Sequence, residues 1–201
     1  MCDGCIAIIG GGLSGLHAAW LLEQNQGLQM PRSLQQDSNR GVQHETDRHG
    51  GEMTHYALWQ LFCRQYGVTQ PMVALQRADS QSDSGGQTQI SASVVVQDRS
   101  LTLTGSGNGW LSAAVNALRS AFDLHLTIED YHEHTLGRRS DSRSVAYISC
   151  VDVRGVRAWG VSIDNDTARA ALQALLSAAG QFLEGENSPW APRPADDETS
   201  H

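Results

Sequence analysis

Residues Thr104 to Gly137 read TGSGNGWLSAAVNALRSAFDLHLTIEDYHEHTLG. An alternating run from Ser100 to Thr104 leads into Gly105-Ser106-Gly107-Asn108-Gly109, and a helix-like run from Leu111 to Phe122 follows. A glycine-rich turn between strand and helix lets the backbone approach a ligand and aims free N–H groups at it, so a carboxylate or phosphate is its natural guest. The arrangement then recurs. One fixed offset lays Val96 on Val153, Asn108 on Asn165, Ala113-Ala114 on Ala170-Ala171, Ala117-Leu118 on Ala174-Leu175 and Ser120-Ala121 on Ser177-Ala178. That many identities around one strand-turn-helix pattern point to an internal duplication. The two copies are expected to form one pseudo-symmetric α+β domain.

Around this stretch the other elements follow from periodicity and turn chemistry. Val73 to Arg77 reads as a strand, and Asp79 to Gln87 (DSQSDSGGQ) as a polar loop. Thr88 to Gln97 and Arg99 to Thr104 make a hairpin turning near Asp98. After the first helix, Leu124 to Glu129 alternates, and Tyr131 to Ser142 reads as a loop carrying unusual polar groups. Val145 to Val153 and Val156 to Ile163 form a second hairpin around Arg154-Gly155, and Asp166 to Leu183 closes the unit as a helix.

Upstream the pattern turns helical. Pro31 suits the first turn of a helix that Gly50-Gly51 would stop, and Thr54 precedes a helix with Leu58, Leu61 and Phe62 on one side, ended by Gly67. His44, His49 and His55 share no common face, so they read as solvated residues and not as a metal site. The final run, Glu184 to His201, has three prolines and little to bury, and reads as a disordered tail.

The chain of 201 residues can bury a real core but cannot hold a (β/α)₈ barrel of about 250 residues beside this domain. Its net charge of −8, with no basic stripe, argues against nucleic acid or an anionic membrane as partner. A small molecule or another protein fits better. No apolar run is long enough to span a bilayer, and Met1 to Cys5 lacks the marks of a signal peptide, so a cytoplasmic location is expected. Cys2, Cys5, Cys63 and Cys150 are too few and scattered for a disulfide framework, and Cys2-x-x-Cys5 has no second pair to complete a zinc site. No metal is expected.

Ile6 to Glu23 (IAIIGGGLSGLHAAWLLE) places Gly10, Gly12 and Gly15 in G-x-G-x-x-G spacing between a short strand and a helix. This opening resembles flavin-dependent amine oxidases. The fingerprint needs a second strand ending in an acidic residue, and Gln24 to Pro31 is no strand. FAD binding at these glycines is therefore not expected, and no other cofactor is.

Four further motifs carry a second resemblance: LLEQNQGLQMPRSLQ with GGEMTHYALWQLF, then TGSGNG, then DYHEHTLG, then VAY with WGVSID. From about Trp20 to Leu183 the chain resembles the C-terminal part of the 2-isopropylmalate synthase family, a linker subdomain followed by the LeuA-type regulatory, or dimerisation, domain. The resemblance implies a division into residues 1–19 as an atypical start, 20–70 as linker, 71–183 as regulatory domain and 184–201 as tail. It implies two βββα units per domain, paired domains in a homodimer, and leucine bound near the dimer interface as feedback inhibitor. Carried over, the effector pocket would use Gly107, Asn108, Gly109, Leu111 and Ser112 from the turn and helix start, Ile128, Tyr131 and Thr135 from the next strand and loop, and Ser142 and Ser144 beyond. The family usually has Pro at the place of Trp110, and Ala at several of the places of Ser112, Thr135, Ser142 and Ser144. Citramalate synthases share the domain and sense isoleucine, which keeps a related branched-chain effector open.

None of the metal-bearing catalytic barrel of such synthases is present in this sequence. The expected role is accordingly a non-catalytic sensor and dimerisation module, able to pair with a complete synthase subunit. Two alternatives remain: recruitment of the isolated domain as an enzyme, with Tyr131, His132, Glu133 and His134 as acid–base groups, and a flavin-binding remnant at the start. Ser106 and Cys150 have no base beside them in sequence, so no catalytic nucleophile is assigned.

Overall fold

The computed structural model describes residues 16–49, 53–137 and 142–183. Gly10, Gly12, Gly15, the Cys2/Cys5 pair, the Gly50-Gly51 stop and the 184–201 tail lie outside them. Three helices come first: α1 (Leu16–Gln26), α2 (Arg32–His49) and α3 (His55–Tyr66). Their ends obey the local chemistry of the sequence. Thr54 accepts the Ala57 N–H at 3.1 Å as N-cap of α3, and Gly67, at φ 69°, takes the left-handed conformation that closes it.

Two copies of a βββα unit follow: β1 (Val73–Ser82), β2 (Thr88–Val96), β3 (Arg99–Gly107) and α4 (Trp110–Phe122), then β4 (Leu126–Leu136), β5 (Arg143–Asp152), β6 (Arg157–Asp164) and α5 (Thr167–Leu183). Each trio is an antiparallel meander in chain order. The first strand of each carries a bulge, between Leu75 and Arg77 in one and between Ile128 and Asp130 in the other. The fold is thus α+β with a duplicated unit. The β2–β3 turn uses positive φ at Gln97 (45°) and Asp98 (64°), the backbone twist that suits a two-residue hairpin.

Three strands run further than their sequence suggests. β1 continues to Ser82, β3 takes in Gly105 and Gly107, and β4 runs through Tyr131 to Leu136, which the sequence places in a loop. The reason is common to all three. Polar side chains on a strand read as loop when only one buried face is sought, yet a strand between two partners can satisfy polar groups on either side.

One core joins both units: Val94, Val96 and Leu103 of the first sheet and Ala146, Ile148 and Cys150 of the second pack with the alanine-rich faces of α4 and α5. Small residues permit this closeness. A Cβ on Gly105 would collide with the Ala113 and Ala117 backbone, and one on Gly160 with that of Ala174 and Ala178. Gln173 of α5 ties the units by accepting the Leu75 N–H (2.7 Å) and donating to the Val73 carbonyl (2.9 Å) on the edge of β1. The outer face of the second sheet is buried too. Val145, Tyr147, Trp159 and Val161 form a second core with Leu21, Leu28, Leu34, Leu58, Phe62 and Tyr66 of the helical subdomain.

Overpacking at the strand–helix contact should be costly. Gly160→Ala is expected to lower unfolding stability by about 2–3 kcal/mol in urea titration, whereas Ser93→Ala on the exposed outer face of β2 changes it by less than about 0.5 kcal/mol.

Candidate functional site

Gly107 ends β3, Asn108 and Gly109 make the turn, and Leu111 and Ser112 lie in the first turn of α4. Gly109 occupies the N-cap position at φ 104°, a conformation open to glycine, and offers no side chain to cap the helix. The helix hydrogen-bond ladder starts with the Ala113 N–H on the Gly109 carbonyl at 3.0 Å, which leaves the N–H groups before it without an intrahelical acceptor. Asn116 braces the approach, donating to the Ser106 carbonyl at 2.7 Å. The result is a bare helix start, polarised to receive an anion.

Strand alternation decides where the remaining candidates point. Tyr131, Glu133 and Thr135 pair across the sheet with Ile148, Ala146 and Ser144, and Ile128 with Cys150. Ile148, Ala146 and Cys150 belong to the core shared with α4 and α5, so Ile128, Tyr131, Thr135 and Ser144 are on the helix side of the sheet. Leu111, Trp110, Ile128 and Tyr131 are all partly buried against that same core. Thr135 and Ser144 are direct cross-strand neighbours, and Ser144 Oγ lies 2.7 Å from Thr167 Oγ1 at the start of α5. Ser142 sits just before β5. Every one of the ten candidates is exposed or half-buried, so the surface they form is open in a single chain. Trp110, which sequence reasoning noted only as a departure, belongs with them.

Asp130, His132 and His134 take the other face. There the Ser33 hydroxyl donates to Asp130 (3.3 Å), and His132 Nε2 lies 3.1 Å from Asp130 Oδ1. His134 Nε2 accepts the Gln29 backbone N–H (3.2 Å) and lies 2.9 Å from Tyr147 Oη, with the two rings stacked. Gly27, at φ 71°, lets the α1–α2 turn pass close to Leu136. The enzyme alternative is corrected by this geometry. Tyr131 and Glu133, hydrogen-bonded to one another, face the α4 side, while His132 and His134 face the linker helices, so the four cannot act on one substrate. Among the described residues no three His, Cys, Asp or Glu side chains converge as metal ligands would. Burial pushes the Cys63 thiol up to about 11 and the Cys150 thiol up to about 12, the opposite of an activated nucleophile.

A duplicated βββα domain with an open helix start on one face of its second sheet and a helical subdomain locked to the other defines a ligand-responsive, pairing class of module. The chain belongs to the family of the LeuA allosteric (dimerisation) domain, whose model matches residues 52–183. It is 39% identical over 164 residues to a 2-isopropylmalate synthase of Marinomonas sp. (strain MWYL1), covering 80% of this chain and 29% of that protein. It is 33% identical over 167 residues to that of Mycobacterium leprae (82% and 27%) and 38% identical over 169 residues to that of Rhodospirillum rubrum (83% and 30%). The chain thus spans less than a third of the length of these relatives.

The His134 contact should make linker docking sensitive to acid. Burial holds its pKa below the ordinary 6.5, so the unfolded chain takes up the proton first. The stabilisation is complete above 6.5 and is lost as pH falls through the lower folded value. Urea unfolding from about pH 8 to about pH 5.5 should show a larger loss of stability for the wild type than for His134→Gln, which keeps an acceptor but cannot be protonated.

Proposed function

We propose that this chain is the effector-binding and pairing module of a 2-isopropylmalate synthase type of system in branched-chain amino-acid biosynthesis, and that leucine is its first-choice ligand. The observation that carries the reading is the uncapped start of α4, set beside half-buried apolar side chains on a shared core. The free N–H groups at Trp110, Leu111 and Ser112 receive the ligand carboxylate, with Gly107, Asn108 and Gly109 keeping the approach clear. Leu111 and Ile128 accept the branched side chain, and Tyr131, Thr135, Ser142 and Ser144 supply oxygen acceptors around the ammonium group. The name shared by the relatives, all 2-isopropylmalate synthases, supports the choice of ligand.

Homodimerisation belongs to the same reading, as the family description supports. The ten site residues are open to solvent in one chain, and a second copy would bury the apolar ones and exclude water from the pocket, which strengthens each polar contact. Residues 20–70 then act as the linker that reports occupancy of the site in residues 71–183. The role is regulatory feedback in the cytoplasm, exerted on the acyl transfer of a complete synthase subunit.

Calorimetry with leucine, isoleucine and valine tests the sensor role, and sedimentation tests pairing. At least one of the three amino acids should give saturable heat, and the sedimenting mass should be twice 21.8 kDa. Gly109→Val, which cannot hold φ 104° without strain, should weaken binding by about tenfold or more with the circular dichroism unchanged. No heat from any of the three, on a folded protein, removes the sensor reading.

A further inference from the structure

On the face of the second sheet turned to the linker helices, Asp130, Ser149 and Trp159 stand in one cross-strand row, Asp130 opposite Ser149 and Ser149 opposite Trp159. They line a cavity of about 350 Å³ together with Ser33 from the first turn of α2 and Glu129 and Arg157 at its rim. Two of its polar groups are deeply buried and unmatched. Ser149, 1% exposed, and Trp159, 2% exposed, find no hydrogen-bond partner in the protein for Oγ and Nε1. Leaving such a group unpaired costs about 1–3 kcal/mol, so a buried pair of them in one cavity is a feature that needs a partner of its own.

The remaining groups define that partner. Glu129 is the extra residue of the β4 bulge, and its Oε2 lies 2.7 Å from Arg157 Nε and 2.6 Å from Nη2. Asp130 holds the Ser33 hydroxyl and faces His132 Nε2, yet a carboxylate has about four acceptor positions and can take another donor. The cavity therefore offers carboxylates at one end and, at the other, an indole N–H that can only donate, a hydroxyl and a guanidinium. We infer that it is a second ligand site, distinct from the α4 turn, for a small zwitterion: an α-amino acid with a polar side chain or none. Its ammonium group lies against Asp130 and Glu129, and its carboxylate accepts from Trp159 Nε1, Ser149 Oγ and the free edge of Arg157. The polar lining, broken only by the Trp159 ring, disfavours a large apolar side chain. Because Ser33 and the sheet each supply part of the wall, a ligand here ties the linker helices to β4, β5 and β6.

The test uses the indole N–H signals of the full chain labelled with ¹⁵N, that of Trp159 identified by its loss in Trp159→Phe. Glycine and L-serine at millimolar concentration should shift the Trp159 signal saturably. Asp130→Asn should weaken the response by about tenfold, and so should Ser149→Ala, which removes one hydroxyl and leaves linker docking untouched. Gly109→Val, aimed at the α4 turn, should leave the response intact. No shift with either probe, a shift retained in both Asp130→Asn and Ser149→Ala, or a shift abolished by Gly109→Val would overturn the inference. A silent leucine titration would sink the α4 reading alone and leave this one standing.

Discussion

The second sheet is the element on which the rest depends, because both of its faces are buried and successive residues of a strand must point to opposite sides. On β4 that rule sends Ile128, Tyr131, Glu133 and Thr135 toward the helices and Asp130, His132 and His134 toward the linker. A register slip of one residue would exchange the two sets and put the core residues Ala146 and Ile148 against the linker. The bulge at Glu129 fixes the phase. It inserts one residue between Ile128 and Asp130, so that residues on both sides of it serve the correct face and its own side chain is released to Arg157.

The same economy explains the alanine-rich helices. A helix can lie close to a strand only where both surfaces are small, and Gly105 against Ala113 and Ala117, then Gly160 against Ala174 and Ala178, supply that surface in each unit. The closeness lets α5 touch both sheets, with Gln173 mimicking a strand partner along β1 and Ser177 and Gln181 reaching Gly67 and Gln65 of the α3 end. Removing leucine-sized side chains from this face is no loss of core: the helix recovers the buried area by contact on more than one side.

The duplication was legible because identical small residues at a fixed offset have no other simple cause, and the caps of α3 were legible because Thr54 and Gly67 act on their own neighbours. The candidate site was legible in part. Gly107, Asn108 and Gly109 announce a turn whatever surrounds them, and the bare helix start follows from the glycine at the cap. What escaped was the length of β4. DYHEHTL looks like loop since its polarity is continuous, and only the tertiary structure reveals that one alternate set meets Gln29 and Ser33 while the other meets its own sheet and helices. The period of two in His132 and His134 was the available signal, and a metal site was one reading of it; a docking face is the reading that the partners support.

The two units share a fold and differ in what covers them. In the first sheet the outward positions are Gln89, Ser91, Ser93, Thr102, Thr104 and Ser106, all exposed, while in the second Tyr147, Trp159, Val145 and Val161 stand outward and are buried. Helices with Leu21, Leu28 and Phe62 on their inner side gain apolar burial of about 25 cal/mol per Å² only on the second sheet. On the first they would bury hydroxyls and amides with no partners, at a cost that grows with each one. Divergence of the outward residues therefore makes a symmetric domain accept its linker on one side alone. It follows that a change felt on the helix face of β4 has one strand to cross before it meets the linker, whereas the first sheet has no such neighbour to inform.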